Sequence, residues 1–289
     1  MTLLKVIVLA IVQGLAELLP VSSSAHVVVA EKLMGLDPSS PPMTLLLVML
    51  HTGTMFAVIV YFWKQWRETF FSSPEAFKRF AWLTTIATAI TLVLGEIVVK
   101  VIEKTAFRDV PHAEIESLFS HLELIAPALA AAGVLVIVAG ILQNRRPGTS
   151  ILGTDDVTPK QAGIIGTVQG LCLPFRGFSR SGATISTGIL MGVSRTTSET
   201  FSFALAVVLT PFVVVVEAMR LIKAEHLSGA HDLGAAALPS LIGMVCSFFA
   251  GLLALKWLSK WLEGGRWYLF GIYCVIAAAG VLMLHFMGY

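Results

Sequence analysis

The sequence is poor in charge and in cysteine. Only 13% of its 289 residues are charged, about half of the roughly 25% found in soluble domains. The net charge is +2 and no run of five basic residues occurs, so nothing predicts a nucleic-acid partner. The three cysteines lie in apolar segments, and we expect them to be packing residues rather than a disulfide framework: Cys172, Cys246 and Cys274.

Apolar residues make up 56% of the chain, in blocks of about twenty, the length that crosses a bilayer core. The N-terminal segment has neither a basic region nor a small-residue cleavage site, so we expect it to be part of the mature fold. These patterns predict an all-α polytopic membrane protein with a single membrane domain over 1–289. Six full spans are predicted, at 45–63, 82–102, 122–142, 201–222, 236–258 and 267–287.

Two more segments, 2–35 and 161–193, are apolar but broken by Gly, Pro, Ser and charged residues. Non-helical backbone at membrane depth must be buried in protein or line an aqueous cavity. We therefore predict two re-entrant helical hairpins with the breaks at their tips. The tips are called the first elbow, Pro20–His26, and the second elbow, Arg176–Thr184.

Loop charges predict the orientation, because cytoplasmic loops carry an excess of Lys and Arg. Loops 64–79, 143–160 and 256–266 are rich in basic residues, whereas 103–121 and 223–235 are poor. This pattern places both termini outside, with the first hairpin entering from outside and the second from the cytoplasm. The basic residues counted are Lys64, Arg67, Lys78, Arg79, Arg145, Arg146, Lys160, Lys256, Lys260 and Arg266, against Lys104, Arg108 and Lys223 in the poor loops.

The two hairpins resemble each other in sequence. The letters VQGL at 12–15 recur at 168–171, and LMGL at 33–36 recurs as LMGV at 190–193. Two matches at nearly one offset indicate a duplication, with repeat 1 at about 1–142 and repeat 2 at about 161–289. Each repeat holds one hairpin and three spans, an odd number, so we expect an inverted-topology repeat, a common plan among transporters.

The first elbow is expected to carry acid and base groups. Gln13 and Glu17 are four residues apart and share a helix face, and an ionisable group inside a membrane marks a functional site by default. The alternative is that Glu17 only pairs with an arginine to hold the hairpins together. One serine of the elbow is expected to cap the second half-helix, and His26 shares a helix face with Ser23.

The second elbow has the composition of an oxyanion cradle. Glycines permit close backbone approach, hydroxyls donate, a helix N-terminus offers its amides, and Arg180 adds a planar charged fork suited to phosphate oxygens. The alternative is that Arg180 only neutralises Glu17. Phosphoryl transfer needs little beyond such positioning and neutralisation, so the two elbows suit a lipid phosphate. The cradle residues are Gly177, Ser179, Ser181, Gly182 and Thr184.

At these residues the chain resembles the undecaprenyl-pyrophosphate phosphatases, a bacterial family linked to bacitracin resistance. The resemblance covers essentially the whole length and is most specific in two motifs. One is (Glu/Gln)-x-x-x-Glu followed by PVSS-x-x-H, present here as Gln13 to Glu17 and Pro20 to His26. The other is PG-x-SRS-x-x-T, where Arg176 stands in place of the usual proline. We expect this extra cation either to strengthen pyrophosphate binding or to face a water-filled vestibule.

The resemblance implies hydrolysis of undecaprenyl pyrophosphate to the monophosphate, which recycles the lipid carrier for cell-wall synthesis. It implies a site on the outer side of the bacterial cytoplasmic (inner) membrane. Glu17, Ser23, His26 and Arg180 are the implied catalytic residues, with His26 as general base. Glu17 either orients His26 or holds a weakly bound divalent cation, magnesium or calcium. The implied substrate-binding residues are Gln13, Ser22, Ser24, Gly177, Ser179, Ser181 and Thr184.

Several alternatives stay open at this point. Attack by Ser23 and direct attack by water are both compatible with the motifs. The main competing function is that of a flippase, which would move a polyprenyl phosphate across the membrane through the same cavity. A small-anion channel is disfavoured, because the predicted spans of this chain lack the rings of basic residues that such a pore needs. The expected partners are the polyprenyl pyrophosphate and membrane lipids. Small residues over 128–133 allow helix packing within one protomer or in a homodimer.

Overall fold

The computed structural model describes residues 1–38, 40–106, 121–144, 156–228, 232–263 and 266–289. All regular secondary structure in this part of the chain is helical. The loop residues Arg108, Arg145 and Arg146, used to predict the orientation, lie outside the described residues. The helices are α1 Leu3–Leu18, α2 Ser23–Leu33, α3 Pro41–Thr69, α4 Pro74–Ala106, α5 Leu122–Asn144, α6 Pro159–Cys172, α7 Arg180–Leu190, α8 Arg195–Ser228, α9 Asp232–Glu263 and α10 Tyr268–Phe286.

Six of these helices are long and apolar enough to cross a bilayer, which confirms the six predicted spans. Large apolar side chains on them are exposed, as on Leu238 and Ile276, each 67% exposed. Since a lipid-facing surface has no reason to be polar, this exposure fits a multi-pass membrane protein. The apolar windows are Pro42–Thr69, Pro74–Thr105, Leu122–Asn144, Arg195–Val216, Ala236–Leu258 and Tyr268–Phe286.

Among the predicted spans, those at 82–102 and 201–222 begin furthest after the start of their helices, α4 and α8. The prediction 82–102 omits the first two turns of α4, where charged residues such as Glu75 and Arg79 hide the helix from a hydropathy reading. The prediction 201–222 misses the start of α8, where Ser194 accepts a hydrogen bond from the amide of Thr197 at 3.2 Å. A polar cap and a charged first turn therefore extend both helices beyond their apolar part.

The two broken segments each form a pair of short helices. The chain between α1 and α2 spans residues 19–22, and the chain between α6 and α7 spans residues 173–179. Helix α6 begins with a capping box, in which Thr158 and Gln161 satisfy each other's backbone amides. Each pair ends in a glycine with positive φ, Gly35 at 62° and Gly192 at 84°, a conformation that costs glycine little. The structure therefore contains, in both broken segments, the predicted pair of short helices separated by a non-helical break.

Each short helix pair packs against the other half of the chain. Helix α1 lies on α9 and α6 lies on α4, while α5 packs on α10 and α3 on α8. A Cβ added to Gly14 would lie 2.7 Å from the carbonyl oxygen of Ser247, and one added to Gly170 would lie 2.8 Å from that of Thr91. Gly170 follows Gly14 by 156 residues, as Ser247 follows Thr91. Two equivalent glycines therefore allow two equivalent close contacts, each made to the opposite half.

The elbows are held over a shared apolar core. The largest buried cluster joins side chains of both halves, among them Ile125, Leu129, Ile185, Phe203 and Trp267. The indole N–H of Trp267 donates to the hydroxyl of Ser186 at 3.1 Å, so the polar atom of this large side chain is satisfied. Rigid packing beneath the elbows fixes where their polar side chains point.

Candidate active site

The first elbow holds an unusual backbone. Ser22 has φ 67°, and no other non-glycine residue in the described ranges has a positive φ. Although Ser22 is the N-cap residue of α2, its side chain makes no capping hydrogen bond, so the prediction that a serine caps this helix is wrong. Its hydroxyl lies 3.2 Å from that of Ser24 instead. A strained residue immediately before Ser23 is typical of a functional turn.

The second elbow is braced by backbone contacts. Gly177 has φ 98°, and a Cβ there would collide with the carbonyl oxygen of Ile125, so only glycine fits. Its amide donates to the hydroxyl of Ser24 at 3.2 Å, which links the two elbows. Ser179 caps α7 by accepting from the amide of Gly182 at 3.2 Å. The start of α7 is therefore fixed against both the first elbow and α5.

Glu17 is the point at which the predicted site residues meet. Its Oε1 accepts a hydrogen bond from Arg180 Nη2 at 2.9 Å, and its Oε2 accepts from the hydroxyl of Ser23. Gln13 Nε2 also donates to Oε2, at 3.1 Å. One carboxylate thus joins a potential nucleophile to a cation that can bind phosphate, although the two come from different halves of the chain.

The positions of Ser23 and Arg180 follow from the local folding of the two segments. Ser23 is the first residue of α2 and Arg180 is the first residue of α7, and both helices have eleven residues. The two positions are 157 residues apart in the chain, the offset at which the hairpin sequences match. The first residue of each of these two helices therefore bonds to Glu17: α2 through the hydroxyl of Ser23, and α7 through the guanidinium of Arg180.

Two polar atoms beside this carboxylate are left without a partner. Arg180 Nη1 and Gln13 Oε1 are buried and make no hydrogen bond within the described part of the chain. An unpaired buried donor or acceptor costs roughly 1–3 kcal/mol. A donor and an acceptor left open in this way are suited to a ligand that supplies the missing partners.

Within the described residues, the hydrogen bonds of His26 go to residues other than Ser23. Its Nδ1–H donates to the backbone carbonyl of Ser22 at 2.7 Å, and its Nε2 lies 2.7 Å from the hydroxyl of Tyr273. The two rings stack with their centroids 5.6 Å apart. In this structure the acceptor of the Ser23 proton is Glu17, and His26 instead holds the strained Ser22 against α10.

The remaining cradle hydroxyls are largely bonded within the protein. Thr184 is fully buried, donates to the carbonyl of Arg180 at 2.9 Å and lies 2.6 Å from the hydroxyl of Ser202. Ser181 is buried as well, with 3% of its surface exposed. These residues support the start of α7, where Arg180 is the group that reaches the cavity.

A cavity opens beside the Glu17–Arg180 pair and is lined by both polar and apolar side chains. It contains one residue that the sequence prediction missed, His51, whose Nε2 lies 3.7 Å from Glu17 Oε2. An ionisable residue within a predicted span was the available signal. The lining residues are Glu17, Leu18, His51, Thr54, Met55, Val58, Arg180, Phe203, Ala206, Val207 and Thr210.

The donor set does not fit a divalent cation held by the chain alone. No cluster of three or more His, Cys, Asp or Glu side chains suited to a metal occurs among the described residues. Among the described residues that line the cavity, the single carboxylate is that of Glu17, which is already bonded to Arg180, Ser23 and Gln13. Calcium and magnesium need six or more oxygen ligands, so most of these would have to come from water and substrate.

The family model described as "Bacitracin resistance protein BacA" matches residues 6–280, which include both elbows. The chain belongs to the BacA family. It is also 60% identical over 287 residues to a protein of Acinetobacter baylyi named "Undecaprenyl-diphosphatase 2", with 98% of each chain covered. The family resemblance predicted from the elbow motifs is thereby confirmed.

In this BacA family member, Arg176 also attracts the carboxylate of Glu31 in α2. Glu31 is fully buried and has no hydrogen-bond partner for either oxygen in the part described. The arginine that replaces the usual proline is thus one positive charge near a buried acid of the first hairpin. The two expected roles of Arg176, in pyrophosphate binding or at a water-filled vestibule, stay predictions.

Proposed function

We propose that the protein is an undecaprenyl-diphosphatase, which hydrolyses the polyprenyl pyrophosphate to the monophosphate and inorganic phosphate. The observation that carries this proposal is the bridge from Ser23 through Glu17 to Arg180. The name of the Acinetobacter baylyi relative supports the same activity. Both polar and apolar side chains line the cavity, and a phosphate headgroup on a long apolar tail needs both kinds of surface.

In the proposed reaction Arg180 binds the terminal phosphate through its guanidinium, including the open Nη1 donor. Ser23 Oγ then attacks the phosphorus and transfers its proton to Glu17, while the polyprenyl monophosphate leaves with the electron pair of the broken P–O bond. Water hydrolyses the phosphoserine in a second step. Direct attack by water, positioned by the same groups, is the alternative. Preorganised donors at such a centre are the main source of catalysis.

The other site residues have supporting roles in the proposal. We propose that Gln13, Ser22, Ser24, Gly177, Ser179, Ser181 and Thr184 shape the headgroup site. His26 as a general base stays a prediction, and it requires the ring to leave Ser22 and Tyr273. A divalent cation, magnesium or calcium, would enter with the diphosphate and be held weakly by its oxygens and Glu17.

We further propose that α1–α2 and α6–α7 are re-entrant hairpins in an inverted repeat, with repeats at about 1–142 and 161–289. The exchanged packing of α1 on α9 and α6 on α4 supports this arrangement. The loop charges support both termini outside the bacterial inner membrane, with the site open to the outer side. There the enzyme would recycle the carrier lipid of cell-wall synthesis. A homodimer remains a separate hypothesis.

The deciding experiment is phosphate release by the purified protein in detergent, with a polyprenyl diphosphate as substrate. We expect release from the diphosphate and none from the corresponding monophosphate. Addition of a chelator should lower the rate if a cation accompanies the substrate, and magnesium or calcium should restore it. No release under either condition, together with transbilayer movement of the monophosphate in liposomes, would replace the hydrolase by the flippase.

A further inference from the structure

Helix α10 holds the first elbow with two consecutive side chains. The hydroxyl of Tyr273 lies 2.7 Å from Nε2 of His26, and the two rings stack with their centroids 5.6 Å apart. The next residue along α10, Cys274, donates its thiol to the backbone carbonyl of Pro20 at 3.5 Å. The elbow is therefore bonded to α10 at its first residue, Pro20, and at its last, His26.

The hydrogen bonds of His26 have a defined direction. The carbonyl oxygen of Ser22 can only accept, so Nδ1 carries the proton in its 2.7 Å contact with that oxygen. In the neutral ring Nε2 is then an acceptor, and the hydroxyl of Tyr273 is its donor. The two hydrogen bonds together fix the tautomer and the orientation of the imidazole. They connect α10, through the ring, to the backbone of Ser22.

The backbone at the end of this connection is strained. Ser22 has φ 67°, and its side chain does not cap α2. A serine in this conformation persists only where the surrounding contacts hold it there. Ser23 is the next residue, so the direction of its hydroxyl depends on the turn that His26 holds.

Helix α10 is tightly packed at the level of Tyr273. A Cβ added to Gly133 of α5 would lie 2.8 Å from the carbonyl oxygen of Gly271 and 2.9 Å from the Cβ of Cys274. The backbones of α5 and α10 are therefore in close contact within two residues of Tyr273. Because so dense a contact leaves little room for movement, the hydroxyl of Tyr273 is a fixed reference point for the elbow.

We propose that Tyr273 is a positioning residue of the reaction, which acts through His26 on the turn at Ser22. This turn directs the hydroxyl of Ser23 at phosphorus, and a nucleophile misplaced by about 1 Å can lose about 10²-fold in rate. The inference rests on the proposed function. It also has a sign: loss of the Tyr273 hydroxyl lowers the rate, whereas release of a base that the hydroxyl merely restrained would raise it.

The first test removes a single oxygen atom. Tyr273→Phe keeps the ring that stacks on His26 and loses the donor. We expect kcat for a prenyl diphosphate to fall by about 10- to 100-fold, with KM within about threefold of the wild type. Tyr268→Phe, the same change on the same helix, is the matched control and should keep the wild-type kcat. Phosphate release is measured in detergent, well below the unfolding midpoint of each variant.

A binding measurement separates positioning from general damage to the site. Orthovanadate adopts the five-coordinate geometry of phosphoryl transfer and needs the nucleophile in place, whereas a non-hydrolysable prenyl methylenediphosphonate reports on ground-state binding. We expect Tyr273→Phe to weaken the affinity for orthovanadate by about tenfold or more. Its affinity for the diphosphonate should stay within about threefold of the wild type. A merely structural role of Tyr273 would weaken both affinities alike.

A double variant tests whether Tyr273 acts through the imidazole. His26→Asn places an amide N–H near the position of Nδ1, so it keeps a donor for the Ser22 carbonyl but does not reach Tyr273. In this background Tyr273→Phe should change kcat by less than about twofold, because no ring is left to hold. If His26→Asn is too slow to assay, the orthovanadate affinities of the same variants complete the cycle.

Three results would overturn the inference. One is a wild-type or higher kcat in Tyr273→Phe, another is an equal loss of affinity for both probes, and the third is additive losses in the double variant. A wild type that releases no phosphate would reject the proposed function as a whole. An active wild type with an equally active Tyr273→Phe would reject only the role of Tyr273.

Discussion

The two elbows occupy equivalent places in two similar segments but differ in how they are held. At the first, Ser22 keeps a positive φ and caps nothing. At the second, Ser179, which follows it by 157 residues, adopts an extended backbone and caps α7. The strained turn precedes the hydroxyl Ser23, and the relaxed, capped turn precedes the cation Arg180.

This difference suggests how one scaffold came to serve two purposes. A nucleophile must approach phosphorus at a defined angle, so a strained turn that fixes Ser23 is useful there. A guanidinium binds phosphate from a broader range of positions, and it gains from a stable helix N-terminus beside it. The equivalent of Glu17, at the same offset of 156, is the exposed Leu173. The acid is therefore present once, where both elbows reach it.

The largest expected effect removes the cation of the second elbow. Arg180→Ala should lower phosphate release by about 10³-fold or more, because it removes both the phosphate ligand and the partner of Glu17. Arg180→Lys keeps the charge without the planar fork and should recover only part of the activity. Initial rates and unfolding midpoints measure both variants. Full activity in Arg180→Ala would reject the cradle.

The next effect tests the hydroxyl of the first elbow. Ser23→Ala should lower the rate by about 10²- to 10⁴-fold if Ser23 is the nucleophile, and acid-quenched wild-type enzyme should then contain phosphoserine at this position. Ser24→Ala, which removes the hydrogen bonds to the Gly177 amide and the Ser22 hydroxyl but leaves Glu17 its contacts, is the matched control and should lose less than tenfold. Turnover preserved in Ser23→Ala would favour direct attack by water.

A smaller effect concerns the electrostatic attraction between Arg176 and Glu31, which lie on different hairpins. Arg176→Ala removes this attraction, and we expect a loss of about 1 kcal/mol in the free energy of unfolding, since Arg176 is only partly buried. Glu31→Gln in the same chain should restore most of it. Denaturant unfolding of the two single variants and the double variant measures the coupling. Additive losses would show that the two residues act independently.

The smallest effect compares the two N-cap serines directly. Ser179→Ala should cost about 1 kcal/mol of stability because it removes a true cap, whereas Ser22→Ala should change stability by only a few tenths. Ser22→Gly should stabilise the fold by about 1 kcal/mol by relieving the positive φ. Thermal unfolding in detergent compares the three variants. Equal losses in both alanine variants would contradict the difference between the elbows.

The sequence allowed the spans and most of the central contacts to be predicted, for identifiable reasons. Apolar length reports directly on membrane crossing, and the spacing of Gln13 and Glu17 reports on a shared helix face. A repeat with polar breaks predicted that the elbows belong together, and the Arg180–Glu17 ion pair was foreseen as one alternative. These features depend on local periodicity or on charge compensation, which a single sequence records.

The contacts that were missed depend on packing between distant helices. His51 and Tyr273 reach the elbows only because α3 and α10 pack beside them. The spacing along α2 predicted that His26 would act on Ser23. Spacing within one helix carries no information about Tyr273, the residue on a distant helix to which the imidazole is bonded. The electrostatic attraction between Arg176 and Glu31 requires the two hairpins to be brought together. Such pairings are set by tertiary structure and leave no periodic signal.

The close contacts at Gly14 and Gly170 have a consequence for assembly. The first helix of each hairpin packs on a long helix of the opposite half, so a half chain produced alone would lack the surface on which that helix rests. The halves are thus obligate partners within one polypeptide, and a bulkier side chain at either glycine would need a compensating change more than seventy residues away. Two fragments produced together, and neither one alone, should yield an active site.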